Sequence, residues 1–256
     1  MTQIRRIALV TDFGGAGPYV GQMQLVLSGL APRIPAAALI SNLAPFRPDL
    51  AAYLLPGLAR DLPSETLYLC VVDPGVGGER GVIALEANGC WYLGPDNGLL
   101  SMVERHGRQA RVLRIDWRPK NMSNSFHGRD LFAPVVAMLC RGEMPDAVPL
   151  RPSSMVGADW PDDLCKVVYV DDYGNLITGV RACSLKQGAY VRAAGLEIRF
   201  ARTFCEVRPG QVFWYENAFG LVEIAVNQGR ADLALGIGPG DEVGFPVAIT
   251  AAAPCR

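Results

Sequence analysis

Between residues 7 and 140, short apolar runs rich in β-branched residues alternate with longer stretches whose apolar positions recur at helical spacing. Residues 7–10, 36–40, 66–72, 81–86, 90–93 and 112–115 read as strands. Residues 19–30, 50–62 and 129–140 read as helices, with Pro56 a kink in the second and a further helix starting at 99–104. Asn88-Gly89 is a hairpin signal between two of the strands. Such alternation requires helices laid on the faces of a sheet, and it predicts an α/β domain with a largely parallel sheet.

The strands stop in a repeated way. The first ends in Thr11-Asp12-Phe13-Gly14, the third in Val72-Asp73-Pro74-Gly75, and the 90–93 strand runs into Gly94-Pro95-Asp96-Asn97-Gly98. Proline cannot donate to a ladder, so Pro74 places the Asp73 carboxylate at its strand's end. If those strands are adjacent and parallel, Asp12, Asp73 and Asp96 share the edge where ligands of α/β sheets bind. Arg80 closes the loop that Asp73 opens. Of the two histidines, His106 ends a polar helix, whereas His127 stands in the Ser/Gly-rich loop 123–128 just before a helix and is the candidate base.

The pattern changes after about residue 150. Residues 144–160 are rich in proline, serine and polar side chains, and short alternating runs follow at 166–170, 190–193, 196–200, 211–215, 221–225 and 243–249, with a short helix at 230–235. This predicts an N-terminal α/β domain over 1–150, a linker over 151–163 and a smaller, mostly antiparallel β domain over 164–256. In it, Asp171-Asp172-Tyr173-Gly174-Asn175 and the aromatics Phe204, Tyr215 and Phe219 offer stacking faces beside amides, which suits an adenine.

Composition removes several classes of function. Across 256 residues, 24 basic and 25 acidic side chains nearly cancel and form no basic stripe, which argues against nucleic acid. Seven cysteines, an odd number with no Cys-x-x-Cys pair, argue against a disulfide framework or a thiolate zinc site. No His-x-x-His or Asp-x-Asp spacing supports a metal, and there is no P-loop, dinucleotide fingerprint or Gly-x-Ser-x-Gly elbow. The start, Met1 to Arg6, leads straight into a strand, and the apolar runs are too short to span a bilayer. A cytoplasmic protein without a membrane partner is expected.

Taken together, the chain resembles the S-adenosyl-L-methionine (SAM) hydrolases of the adenosine-forming type, the SAM hydroxide adenosyltransferase family, relatives of fluorinase and chlorinase. The resemblance runs through Thr11-Asp12-Phe13-Gly14 with Tyr19-Val20-Gly21-Gln22-Met23, then Val72 to Gly77 with Arg80. Gly94 to Gly98, Phe126 to Asp130, Asp171 with Tyr173-Gly174-Asn175, and Asn217 with Gly220 and Glu223-Ile224-Ala225 complete it. It implies a Rossmann-like N-terminal domain, a β-barrel-like C-terminal domain, and a homotrimer with sites between subunits. It also implies SAM as substrate with no cofactor or metal, and a water-activating triad of Asp73, Arg80 and His127. By the same resemblance Asp12 holds the ribose, and Phe126 and Gln228 belong to the substrate-binding residues. Asp171 and the backbone of Asn217, Ala218 and Phe219 hold the methionine end, and Tyr173, Asn175 and Phe204 the adenine. Two departures stand out: Asn42-Leu43-Ala44-Pro45 replaces a His-x-Ile/Val-Pro motif, and Ala218 replaces a serine. Two rival functions are a halide-using relative, against which Asp73 and His127 speak, and a non-catalytic SAM or adenosine binder, which would have no use for the triad.

Overall fold

The computed structural model describes residues 2–186 and 188–245. They form two compact units, the first made of residues up to 52 and 62–160, the second of residues 53–61 and those from 161 on.

The first unit contains β1 (Arg6–Thr11), α1 (Pro18–Leu30), β2 (Ala36–Ile40), the start of α2 (Pro48–Ala59), β3 (Thr66–Val71), β4 (Val82–Ala87), β5 (Cys90–Pro95), α3 (Ser101–His106), β6 (Arg111–Ile115), α4 (Ala133–Cys140) and β7 (Ala147–Pro149). Its seven strands lie in the order β2-β1-β3-β5-β4-β6-β7. β3 and β5 are buried along their whole length, which is why they read as unbroken apolar runs rather than alternating ones. α1 starts on Pro18, whose missing N–H costs nothing in a first turn, and turns Met23 and Leu27 inward. Those two side chains join Leu9, Leu69, Trp91, Phe132 and Val136 in one cluster. Each fully buried large apolar side chain contributes about 1.5–3 kcal/mol.

The sheet is mixed, not largely parallel. β1 runs parallel to β2 and β3, and β3 to β5, but β4 is antiparallel to β5 and β6, and β6 to β7. The cause is local. Asn88 and Gly89 both have positive φ, 53° and 71°, the geometry of a two-residue hairpin turn, and it reverses the chain with no crossover helix. The other expectation holds: β1, β3 and β5 are parallel neighbours, so Asp12, Asp73 and Asp96 stand at one edge, just beyond or at their carboxyl ends. The proline- and serine-rich stretch also carries structure, because β7 is the seventh strand of this sheet.

The second unit holds β8 (Leu164–Val170), β9 (Leu176–Arg181), β10 (Val191–Ala193), β11 (Leu196–Ile198), β12 (Val212–Glu216), β13 (Leu221–Val226) and α5 (Ala231–Leu235). It has one antiparallel sheet of order β12-β13-β9-β8 and a separate β10-β11 hairpin. Among the described residues the expected barrel does not close. β8 and β12 remain edges, and single bridges such as Arg192 to Gly244 and Phe200 to Trp214 take the place of continuous ladders. Its core gathers Val167, Leu176, Val180, Trp214, Val222 and Ile224. The anticipated strand at 243–249 is only an isolated bridge at Gly244, and residues 246–249 lie outside the described residues.

β9 escapes sequence reading although it is an inner strand. Thr178 and Gly179 interrupt its apolar run. Thr178 Oγ1 donates to the Val222 carbonyl at 2.9 Å, and a Cβ on residue 179 would come within 2.8 Å of Leu164. Both residues are therefore demanded by neighbours that only the fold supplies. Cys70, Cys90, Cys140, Cys165 and Cys205 are free thiols, while Cys183 is disulfide-bonded.

Candidate active site

The loop after β3 doubles back on itself. Val76 N–H donates to the Asp73 carbonyl and Gly78 N–H to that of Gly75. Arg80 thereby returns beside Asp73. Its Nε lies 3.1 and 3.0 Å from the two carboxylate oxygens, and its Nη2 lies 2.5 Å from Oδ2. Both side chains are largely buried, at 11% and 4% exposure, so the pair is little screened. The guanidinium also sits 5.3 Å from the Phe132 ring centre. Gly77 makes the turn possible. Its φ is +80°, and a Cβ there would meet the Asn124 carbonyl oxygen at 2.5 Å. Gly77→Ala is expected to cost about 1–3 kcal/mol in a urea titration. An unchanged midpoint would show that residues 123–125 yield freely.

Arg80 has a second partner. Its Nη2 lies 2.8 Å from His127 Nδ1. A guanidinium only donates, so Nδ1 is the acceptor and the neutral ring carries its proton on Nε2. His127 directly precedes a π-helical turn, Gly128–Phe132, which leads into α4; such turns recur at functional sites. Burial lowers the imidazole's pKa, the Arg80 charge lowers it further, and the pull of Asp73 and Asp130 does not offset them. At neutral pH the ring is uncharged.

The three residues of the expected triad are thus one hydrogen-bonded cluster. Asp73 and His127 line a cavity of about 390 Å³ with Phe13, Tyr19, Phe126 and Arg129. Phe13, Tyr19 and Phe126 contact one another with ring centres 5.2–6.0 Å apart, and Arg129 lies over Phe126 at 5.1 Å. Arg129 in turn donates to Gln22 Oε1 and to both oxygens of Asp130. Asp12 stands at the same sheet edge, where its carboxylate accepts from the Phe46 amide at 3.0 Å.

The second unit carries a cavity of its own, about 690 Å³, lined by Asp171, Tyr173, Asn175, Phe204 and Gln228 together with Tyr215. Asp171 accepts from the Asn175 amide at 2.8 Å and from its side chain at 2.9 Å, which closes the tight turn between β8 and β9. Phe204 meets Tyr215 edge-on at 5.5 Å. Tyr173 is 79% exposed, and Gln228 holds φ = 54°, a conformation uncommon for a residue with a Cβ. Asn217, Ala218 and Phe219 do not join this lining. They form the β12–β13 turn, where the Asn217 side-chain oxygen is spent on the backbone. Its Oδ1 accepts from Phe219 N–H at 2.9 Å and Leu221 N–H at 3.0 Å.

Comparison with known proteins gives the same answer on both units. Residues 7–149 match the SAM hydroxide adenosyltransferase N-terminal domain, and residues 165–244 match its C-terminal domain. This chain belongs to the SAM hydroxide adenosyltransferase family. An (R)-S-adenosyl-L-methionine hydrolase of Salinispora arenicola is 35% identical over 93% of this chain and 96% of the relative. One of Thermus thermophilus is 34% identical over 93% and 98%. Among solved structures, an uncharacterized conserved protein of Thermotoga maritima superposes with a TM-score of 0.82 at 30% identity, covering 93% of this chain and 99% of that one.

In this SAM hydroxide adenosyltransferase family member, the cavities are also lined by residues that the sequence reading names but does not assign to the site. Tyr19, Gln22 and Arg129 line the first-unit cavity and Tyr215 the second. The available signal was proximity, since Arg129 is two residues from His127 and Tyr19 opens a helix at a strand-end loop. Among the described residues, no group of three or more His, Cys, Asp or Glu side chains could hold a metal ion. No helix among them is long and apolar enough to cross a membrane.

Proposed function

We infer that this chain hydrolyses S-adenosyl-L-methionine to adenosine and L-methionine by attack of water on the ribose C5′ carbon. The observation that carries this is the Asp73–Arg80–His127 cluster opening on a cavity, in a chain that matches both domains of the family. The sulfonium is already a good leaving group. Water forms the new C5′–O bond, the C5′–S bond breaks with its electron pair going to sulfur, and one proton is released. The protein must hold water in line behind C5′ and receive that proton.

On this reading the three residues divide the labour. Sequence leaves open which of the three takes the proton; with Nδ1 engaged by Arg80, His127 offers Nε2–H and so holds the water oxygen as a donor rather than acting as the base. Asp73 Oδ1 accepts only the longer bond from Arg80 Nε, 3.1 Å, and keeps a lone pair for the water's proton. Arg80 orients both partners, and its charge favours developing hydroxide. Asp12 takes the ribose hydroxyls, and Phe126 borders the reacting carbon. The second-unit cavity takes the adenine on Tyr173, Asn175, Phe204 and Gln228, and Asp171 with the 217–219 backbone takes the methionine end. No cofactor enters this scheme.

The proposal extends to a homotrimer whose subunits complete each other's sites. β2 supports it: its five residues, Ala-Ala-Ala-Leu-Ile, form an apolar strand at the edge of the sheet, and the central three are exposed. Leu25 and Phe46 of the same unit are more than 70% exposed. Apolar edges of this kind are normally covered.

Incubation with SAM in H₂¹⁸O tests the reaction directly. Adenosine and methionine should form in equal amounts, with the label in the adenosine 5′-hydroxyl. No adenosine above a protein-free control would refute the reading, and a 5′-halo product in chloride or fluoride would point to the halogenase class instead.

A further inference from the structure

Glu223 is a buried acid that the scheme above leaves idle. It lies on the inner strand β13, 4% exposed, and does not line the second-unit cavity. Its two oxygens have separate partners. Oε1 accepts from the Tyr215 hydroxyl at 2.5 Å, and Oε2 accepts from Asn217 Nδ2 at 2.9 Å. Tyr215 is on the cavity wall. Asn217 governs the β12–β13 turn through Phe219 N–H and Leu221 N–H.

The Asn217 amide cannot turn over. Its oxygen is committed to two backbone donors, so its NH₂ must face Glu223, and Glu223 must answer with an acceptor. Burying a carboxylate is costly unless charge-assisted hydrogen bonds offset it. The two donors supply those bonds, and burial still pushes the Glu223 pKa up. A neutral apolar side chain would pack on β13 without that cost, so the acid's presence needs a reason. The turn amides supply one.

We propose that Glu223 is a positioning residue for the methionine end of the substrate, acting through Asn217 to hold the backbone of the 217–221 turn in its binding geometry. This rests on the assignment of that turn to methionine. The signature is a binding effect separated from the chemical step, because neither Glu223 nor Asn217 belongs to the Asp73–Arg80–His127 cluster.

The test uses the full chain, with SAM kinetics and calorimetric titrations of methionine and of adenosine. Wild-type turnover is measured first; if it forms no adenosine, the hydrolase reading fails and not this one. Asn217→Asp keeps the acceptor for the two turn amides but sets an oxygen against Glu223. It should raise KM for SAM and weaken methionine by about ten- to a hundredfold, with kcat and adenosine affinity little changed. Adding Glu223→Gln supplies the missing donor with reversed polarity and should bring KM and methionine affinity most of the way back. Glu223→Leu should show the same loss as Asn217→Asp. Should Glu223→Leu fail to fold, the single and double Asn217 variants decide alone. The proposal is overturned if the double variant is no better than Asn217→Asp, if the loss falls on kcat, or if adenosine binding falls as far as methionine binding.

Discussion

His127→Ala should lose about 10²–10⁴-fold in kcat while SAM still binds. The loss has two parts. The Nε2–H that holds water disappears, and Arg80 Nη2 loses the acceptor that sits 2.8 Å away. Asp73→Asn should fall in the same range, and the Asp73/His127 double variant should be little worse than the worse single one, because groups acting as a unit lose activity non-additively. His127→Gln separates the possible roles. A glutamine can accept from Arg80 through its oxygen and donate through its NH₂, so it should recover part of the lost rate if His127 is a donor. Were it as inactive as His127→Ala, with the fold intact by circular dichroism, the donor assignment would be wrong. The pH profile is a second check. A second proton must go on Nδ1, where it faces an Arg80 N–H, so the active form is the neutral ring. Since burial and Arg80 hold the pKa below its usual 6.5, the acid limb of kcat should lie below that value. Stability carries the same sign: the unfolded chain takes up this proton first, so the contribution is whole above about pH 6.5 and is lost as pH falls.

Asp163→Ala should be the most destabilising of these substitutions, by about 3–5 kcal/mol, and should lower the melting temperature by roughly 10 °C. Asp163 stands at the entrance to β8, where its carboxylate accepts four hydrogen bonds. Three come from Arg181, through the backbone amide, Nε and Nη2, at 2.8–2.9 Å, and one comes from the Ser184 hydroxyl at 2.7 Å. Its side chain is 3% exposed and that of Arg181 15%. Removing the acid leaves a largely buried guanidinium with only the half-exposed Asp162 carboxylate, 4.0 Å away, which costs far more than losing an exposed pair would. Burial alone would push the Asp163 carboxyl up, but Arg181 and Ser184 outweigh it and hold it below the ordinary range. Its contribution to stability is therefore present above the unfolded value near 3.9 and is lost as pH falls through the lower folded one. Thermal melts at pH 7 and in acid check both statements. A melting temperature unchanged at pH 7 would show that the network is not a stabilising anchor of β8 and β9.

The strings that hold the candidate cluster were legible because their turn signals are local, while the grouping of Asp73, Arg80 and His127 into a triad came from the family resemblance. Pro74 stops a strand wherever the strand lies, and Asp73, Arg80 and His127 sit in short strings whose glycines and prolines mark turns without reference to the rest of the chain. The strands β1, β3 and β5 were legible for the same reason. A strand buried on both faces must be apolar along its length, so composition alone marks it.

What sequence could not supply depends on neighbours distant in the chain. The direction of β4 came from a hairpin whose signal was visible, but its place between β5 and β6 is a pairing choice made across the sheet. β9 went unseen because Thr178 and Gly179 answer to Val222 and Leu164, not to the residues beside them. The role of His127 likewise turns on one contact, from a guanidinium 47 residues away, that selects its tautomer. Residue identity and local spacing determined which groups are available and which runs are buried. Which hydrogen-bond partner each group meets was decided only when the tertiary structure closed those distances, because a donor or acceptor has no fixed role until its partner is in place.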